Sequence, residues 1–95
     1  EREEFALSDI GAELDENGRG VEVSANFETR LAMPKATPNI AICLRDANGD
    51  VCGEAVVAAP VAEASGRATH LFTATLGASA DIANVEVSLT RRAVG

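Results

Sequence analysis

The chain has 95 residues, the length of one domain with a single hydrophobic core, and we treat residues 1–95 as that domain. Its 15 acidic and 8 basic residues give a formal net charge of −7. Nucleic acids and anionic membrane surfaces attract clustered Lys and Arg, so this balance argues against both as partners. The sequence contains no run of about 18 apolar residues, and direct membrane insertion is therefore not expected.

The acidic composition also bears on solubility and salt. Lys35 is the only lysine, and Trp and Tyr are absent. A carboxylate-rich surface that prefers Arg to Lys is typical of a halophile protein, and ordinary solubility through net charge is the alternative interpretation. We expect salt to stabilise the domain, because it screens the repulsion between exposed carboxylates.

The first predicted strand changes the face on which its apolar residues lie. Phe5 and Leu7 share one parity, whereas Ile10, Ala12 and Leu14 share the other. An extra residue in a strand reverses the alternation of its side chains, so a β-bulge near residues 8–9 would bring both groups to one face. We predict such a bulge.

Later segments alternate apolar and polar residues with the period of two that is typical of strands. These segments are "GVEVSANFET" (20–29), "NIAICLRD" (39–46), "DVCGEAVVAA" (50–59), "ATHLFTATL" (68–76) and "NVEVSLTR" (84–91). Longer connections are expected at 34–39, 59–66 and 77–84, and the last has room for one helical turn. Short strands separated by turns predict an all-β sandwich of about six to seven antiparallel strands.

Two tight turns share one sequence pattern. "DENG" (15–18) and "DANG" (46–49) both begin with Asp and end with Asn-Gly. An Asp at the first position caps a turn with its side chain, and Gly accepts a positive φ. We therefore interpret both segments as turns between paired strands.

The second turn also raises the question of a calcium site. Asp46, Asn48 and Asp50 alternate as oxygen ligands do in a calcium loop, with Gly49 between them. An EF-hand loop requires Gly at its sixth position and Glu at its twelfth, and counting from Asp46 both positions are Val. We therefore predict a turn and no metal site.

Cys43 and Cys52 flank this turn, and the register of the hairpin decides whether the two side chains face each other or lie on opposite faces. A four-residue loop, 46–49, places Arg45 opposite Asp50 and Cys43 opposite Cys52. A three-residue loop with a bulge at Gly49 sends the two cysteines to opposite faces. We favour the first register, because it pairs opposite charges and keeps apolar residues together, and it predicts a disulfide in an oxidising compartment.

Catalytic chemistry has few candidates in this sequence. His70 is the only histidine, and its parity with Phe72 predicts a hydrogen-bonded structural role. Two thiols and one distant histidine fall short of a zinc site, and neither a G-x-S-x-G motif nor a glycine-rich phosphate loop occurs. The carboxylate pairs at 3–4 and 15–16 fall in a terminus and a turn, where solvated surface is expected. We predict no enzyme activity, no cofactor and no catalytic residue.

The stretch "ICLRDANGDVCG" (42–53) resembles the signature of the FxLYD family of small extracytoplasmic domains. In that signature an aromatic-x-Leu-Tyr-Asp run precedes a glycine turn and a second strand. Leu44, Asp46 and Gly49 match it, whereas Ile42 replaces the aromatic residue and Arg45 the tyrosine. The segments 21–28 and 65–72 resemble other strands of the family, so the likeness covers about residues 5–90. It implies an immunoglobulin-like sandwich on a secreted, often lipid-tethered, bacterial or archaeal protein.

These observations favour a non-enzymatic binding or spacer module of a cell-surface or secreted protein. Its protein partner would bind through loops or a sheet edge, and the chain would be a monomer or a weak oligomer. The alternatives are a structural subunit of a virion, pilus or surface layer, and a metal-binding accessory domain of an enzyme.

Overall fold

The computed structural model describes residues 5–29, 38–60 and 68–95, which form six antiparallel strands and no helix. The strands are β1 (Phe5–Leu14), β2 (Gly20–Thr29), β3 (Asn39–Arg45), β4 (Val51–Ala58), β5 (Ala68–Gly77) and β6 (Asn84–Thr90). The all-β prediction is confirmed. The connection at 77–84, which has room for one helical turn, runs from β5 to β6 without helical structure. The expected loop at 34–39 and that at 59–66 lie largely outside the described residues.

The strands form two sheets, with the orders β1-β2-β5 and β4-β3-β6. Hairpins join β1 to β2 and β3 to β4, and the other connections cross from one sheet to the other. The strands β2 and β3 are therefore central. The edge strand β1 contacts β6, and the edge strand β4 contacts β5, so the sheets meet along both flanks.

The core is built from the alternating residues of the two central strands. Val23 and Phe27 of β2, and Ile40 and Leu44 of β3, are 0% exposed. Side chains of both sheets belong to one apolar cluster, in which Phe5 stacks on Phe27 with ring centroids 5.5 Å apart. Removing these side chains from water supplies the main driving force for folding.

The bulge predicted in β1 is confirmed. Ser8 pairs with Asn26 and Gly11 with Ser24, so one extra residue of β1 lies between these pairs. Asp9 adopts a φ of 51°, a conformation that Asp tolerates better than most residues. The amide of Asn26 donates a hydrogen bond of 2.9 Å to the Asp9 carboxylate and holds the bulge.

Both Asp-x-Asn-Gly segments are turns, as predicted. The N–H of Gly18 donates to the carbonyl of Asp15, and that of Gly49 donates to the carbonyl of Asp46. The glycines have φ values of 73° and 86°. The loops nevertheless differ, because Arg19 adds one residue before the first hairpin closes.

The predicted four-residue register of the β3–β4 hairpin is wrong. The N–H of Asp46 donates to the carbonyl of Asp50, so the loop holds three residues, and Arg45 pairs with Val51 rather than with Asp50. A second irregularity follows at Cys52, because Leu44 pairs with Gly53. Two bulges, at Gly49 and at Cys52, replace the simple hairpin.

This double bulge separates the cysteines. Cys43 pairs with Glu54 on the outer face of its sheet and is half-buried, whereas Cys52 joins the apolar core. Both are free thiols, and the expected disulfide is not found. The physical reason is the register, since a disulfide requires facing Cβ atoms about 3.5–4.5 Å apart.

Gly53 lies where the end of one sheet approaches the other. A Cβ atom at this position would lie 2.9 Å from the carbonyl oxygen of Gly77 and 3.0 Å from Cδ1 of Leu44. Carbon atoms do not approach a backbone oxygen this closely without displacement. The glycine within β4 therefore permits the close contact between the two sheets at this end.

We predict that Gly53→Ala lowers the free energy of unfolding by about 1–3 kcal/mol, the usual cost of overpacking. Gly11→Ala is the matched control, because a Cβ there would lie at an ordinary 3.5 Å from Oγ of Ser24. The control should stay within about 1 kcal/mol of the parent, since Ala is no worse than Gly in a strand. Urea denaturation measures both, and equal stability of the two variants would refute the close approach.

We also predict two alkylatable thiols in the native protein, with different rates of modification. Cys43 should react with a thiol reagent faster than Cys52, because Cys52 is 7% exposed and packs in the core. Timed alkylation followed by intact-mass measurement tests this. If the label is incorporated only after reduction, the two cysteines form a disulfide, and this result would contradict the register.

Candidate functional site

One end of the fold is a cluster of loops held together by backbone hydrogen bonds. It comprises the β1–β2 turn, the β3–β4 turn and the β5–β6 connection. The connection is held by four N–H donors, Ala78 to Arg19 O, Ser79 to Cys52 O, Ile82 to Gly18 O and Ala83 to Arg45 O, at 2.8–2.9 Å. An ion pair of 3.3 Å between Arg19 and Asp81 adds to them. These contacts join the three loops at this end of the fold.

The polar residues of the β3–β4 turn are used within the turn. The Asp46 carboxylate accepts the N–H groups of Asn48 at 2.9 Å and of Asp50 at 3.0 Å. Within the described ranges, no three His, Cys, Asp or Glu side chains are grouped as a metal ion would require. The calcium-like spacing is accounted for by turn geometry.

Arg45 connects this turn to β6. Its guanidinium donates to the Glu86 carboxylate at 3.2 Å and to the carbonyl of Gly49 at 2.9 Å. The hydrogen bond to Glu86 and the charge of that carboxylate raise the pKa of Arg45 above its ordinary value. Arg45 therefore remains a cation, and its predicted partner Asp50 is replaced by Glu86.

His70 points inward, as its parity with Phe72 predicted. It pairs with Phe27 on the core face of its sheet. The hydrogen bond expected for it is not found, because its buried Nε2 atom has no partner among the residues that the structure describes. His70 is half-buried and lies on the core-facing side of β5.

The outer face of the β1-β2-β5 sheet carries opposed carboxylates. Glu13 of β1 lies directly opposite Glu22 of β2. With Asp15 and Thr75 these residues line a shallow depression of about 390 Å³. Like charges that face each other across a pair of strands destabilise the pair, so this face is a local source of the repulsion expected from the net charge.

An exposed apolar surface lies along the flank where β1 meets β6. We define the β1/β6 flank by the inward-side residues of these two strands, Ile10, Ala12, Leu14, Val85, Val87 and Leu89. Ile10 and Leu14 are each 49% exposed, although Leu14 pairs with Val21, which is 1% exposed. The residues of β6 pair with fully buried residues of β3 but are themselves only partly buried. A depression of about 290 Å³ lies at the end of the flank next to Ile82.

The backbone of β6 is open on this flank. Val56 exchanges two hydrogen bonds of 3.0 Å with Gly95 at the outer edge of β4. The N–H and C=O of Val56 therefore point away from β3, and Ala41, its partner on β3, does not hydrogen-bond to it. The N–H and C=O of Ala41 instead point to Ser88 of β6. The three flank residues of β6 therefore direct their N–H and C=O groups outward, and no strand in the described part of the chain pairs there.

The edge of β4 differs from that of β6. Gly95 pairs with Val56, and the N–H and hydroxyl of Ser79 both donate to the carbonyl of Cys52. On the same flank, the core residue Phe72 of β5 is 5% exposed. The β1/β6 flank thus combines an open backbone edge with uncovered apolar side chains.

The β1/β6 flank has no sequence signature of an exposed surface. Ile10 and Leu14 have the alternation of core residues, and the predicted bulge places them on the same face as Phe5 and Leu7. Alternation reports the face on which a side chain lies, but it does not report whether the opposite sheet reaches that position.

No protein-family model, curated protein or solved structure matches this chain. Across the ranges that the structure describes, no helix is both long and apolar enough to cross a membrane.

The facing carboxylates of Glu13 and Glu22 allow the predicted effect of salt to be tested at one site. We expect the thermal midpoint of the parent to rise between low salt and molar salt, because screening weakens carboxylate repulsion. Glu22→Gln should raise the midpoint by a few degrees at low salt and reduce its salt dependence, since it removes one member of the pair. Glu16→Gln, in an exposed turn, is the matched control for the change in net charge. Scanning calorimetry in a salt series measures this, and a control that stabilises as much as Glu22→Gln would reject the pair as the cause.

Proposed function

We propose that this chain is a non-enzymatic binding or spacer module of a cell-surface or secreted protein, with an immunoglobulin-like β-sandwich fold. The single observation that carries the proposal is the β1/β6 flank, an apolar sheet edge with which no described strand pairs. Exposed apolar surface of this kind marks sites of protein interaction. An open edge supplies backbone groups for pairing with a partner.

The strand order supports the immunoglobulin-like assignment. In immunoglobulin domains one sheet contains A, B and E, and the other contains C, F and G, with C′ added beside C in variable-type domains. The order β1-β2-β5 corresponds to A-B-E, and β4-β3-β6 corresponds to C′-C-F. On this assignment the position of strand G, next to β6, is empty within the described residues.

The roles of the matching residues are consistent with the FxLYD resemblance. Leu44 packs in the core, Asp46 caps the turn with its carboxylate, and Gly49 supplies the positive φ. These are roles in building a hairpin, and they would be needed in any domain with this signature. We extend the proposal to an extracytoplasmic location on the basis of this resemblance.

A structural subunit is the second candidate, and the same flank favours it. An unpaired edge can add a strand of another copy and so extend into an assembly. The net charge of −7 opposes contact between identical chains, particularly at low salt. We therefore place the binding or spacer role first.

Two measurements on the gene product that carries this chain test the proposal. An epitope tag next to the domain should be removed by protease added to intact cells, because the domain is exposed outside the cytoplasm. Light scattering over a concentration series should show a monomer or a weak dimer. A protected tag in intact cells would contradict the location, and growth into large assemblies would favour the structural subunit.

A further inference from the structure

We propose that the β1/β6 flank binds one extended, basic segment of a partner protein, which pairs with the outer edge of β6 and covers Leu14. This inference rests on the proposed binding function and specifies its ligand. The segment carries apolar residues at alternate positions and Lys or Arg between them. Each of these features is derived from the surface that receives it.

The outward backbone groups of the flank require a ligand in an extended conformation. The outward N–H and C=O groups of Val85, Val87 and Leu89 repeat at the spacing of a strand, and only another strand satisfies such a row. Strands in one sheet lie about 4.8 Å apart, so the added strand extends the β4-β3-β6 sheet and lies beside β1. Hydrogen bonds along the added strand fix its register, and the side chains give specificity.

The side chains of the flank require apolar residues at alternate positions of the ligand. In an antiparallel added strand, a ligand residue that hydrogen-bonds to Val85 directs its own side chain to the same side as Val85, which is the core side next to Leu14. There it meets Leu14, which is 49% exposed although its strand partner is buried. An apolar ligand residue at each such position removes this surface from water. Residues between them point outward into solvent.

The charge of the receiving surface determines the outward residues. Glu86 projects from the outer face of β6, the side of this sheet to which the outward residues of an added strand also point. Arg45 donates to the Glu86 carboxylate from the β3 side, and the Glu86 side chain remains 53% exposed. With a net charge of −7, a second copy of this chain is repelled, whereas Lys or Arg in the ligand complements the surface.

A designed peptide tests the proposal directly. The probe is acetylated, amidated and as long as β6, which has 7 residues, with Val or Leu alternating with Lys or Arg. Titration calorimetry should show saturable binding, and NMR shift changes should concentrate on β6 and on the second half of β1. The same peptide with Glu in place of the basic residues should bind at least about tenfold more weakly.

Backbone methylation separates strand pairing from general attraction. N-methylation of the apolar residues removes the N–H groups that face β6 and should weaken binding by at least about tenfold. N-methylation of the basic residues alters the amides that face solvent and should leave the affinity nearly unchanged. Equal effects of the two patterns would overturn strand addition.

Substitutions in the protein locate the site. Leu14→Glu should weaken peptide binding by about tenfold, because it charges the apolar surface that the ligand covers. Leu71→Glu is the matched control, since Leu71 is 69% exposed on β5, away from the flank, and it should bind as the parent does. Thermal midpoints close to that of the parent show that both variants are folded.

Three results would overturn this inference. They are absence of saturable binding by the basic peptide, full binding by Leu14→Glu, and a concentration-dependent dimer of the parent that Leu14→Glu abolishes. The last result would assign the flank to a second copy. A monomeric, surface-exposed protein that does not bind the peptide would refute the inference and leave the proposed function standing.

Discussion

The fold depends on the burial of alternate side chains from two central strands, β2 and β3. Ile40, Ile42 and Leu44 of β3 are at most 1% exposed, as are the inward residues Val21 to Phe27 of β2. With three phenylalanines and neither tryptophan nor tyrosine, the chain has few large side chains with which to fill a core. The core is therefore thin, and it is complete only where both central strands contribute to it.

The edge strands show the consequence of this thin core. Their inward side chains are covered from one side by the central strands but need a neighbour on the flank. Along the flank of β4 and β5, Phe72 is buried, and Gly95 and Ser79 occupy part of the β4 edge. Along the β1/β6 flank, Leu14 remains half-exposed, and the edge of β6 is unpaired within the described chain. The functional hypothesis follows from this asymmetry between the two flanks.

Periodicity predicted most of the fold, because it reports which side chains share a face. The six strands, the parity change in β1 and the inward direction of His70 were all accessible in this way. The hairpin register was not, since the same Asp-x-Asn-Gly pattern closes a four-residue loop at 16–19 and a three-residue loop at 47–49. Charge pairing suggested Arg45 opposite Asp50, but β6 supplied Glu86 as a partner instead. A local pattern cannot anticipate a partner that tertiary packing brings from another strand.

Prediction of the candidate surface requires the strand order as well as the positions of the strands. Ile10 and Leu14 have the sequence signature of core residues, and only the position of β1 at an edge leaves them exposed. Bulges have a similar effect, because the three-residue loop with its bulge at Gly49 places Arg45 opposite Val51, and Cys52 then lies on the core side. In each case the missing information concerns the neighbour across space rather than the residue itself.

Amide hydrogen exchange along β6, followed by NMR in the monomeric protein, tests the central claim most directly. The N–H groups of Glu86 and Ser88 are directed to β3 and should exchange slowly, as those of β3 do on both sides. The N–H groups of Val85, Val87 and Leu89 are directed to the open edge and should exchange much faster. Uniform slow exchange along β6 would show that another segment already pairs with this edge, and it would contradict an open β1/β6 flank.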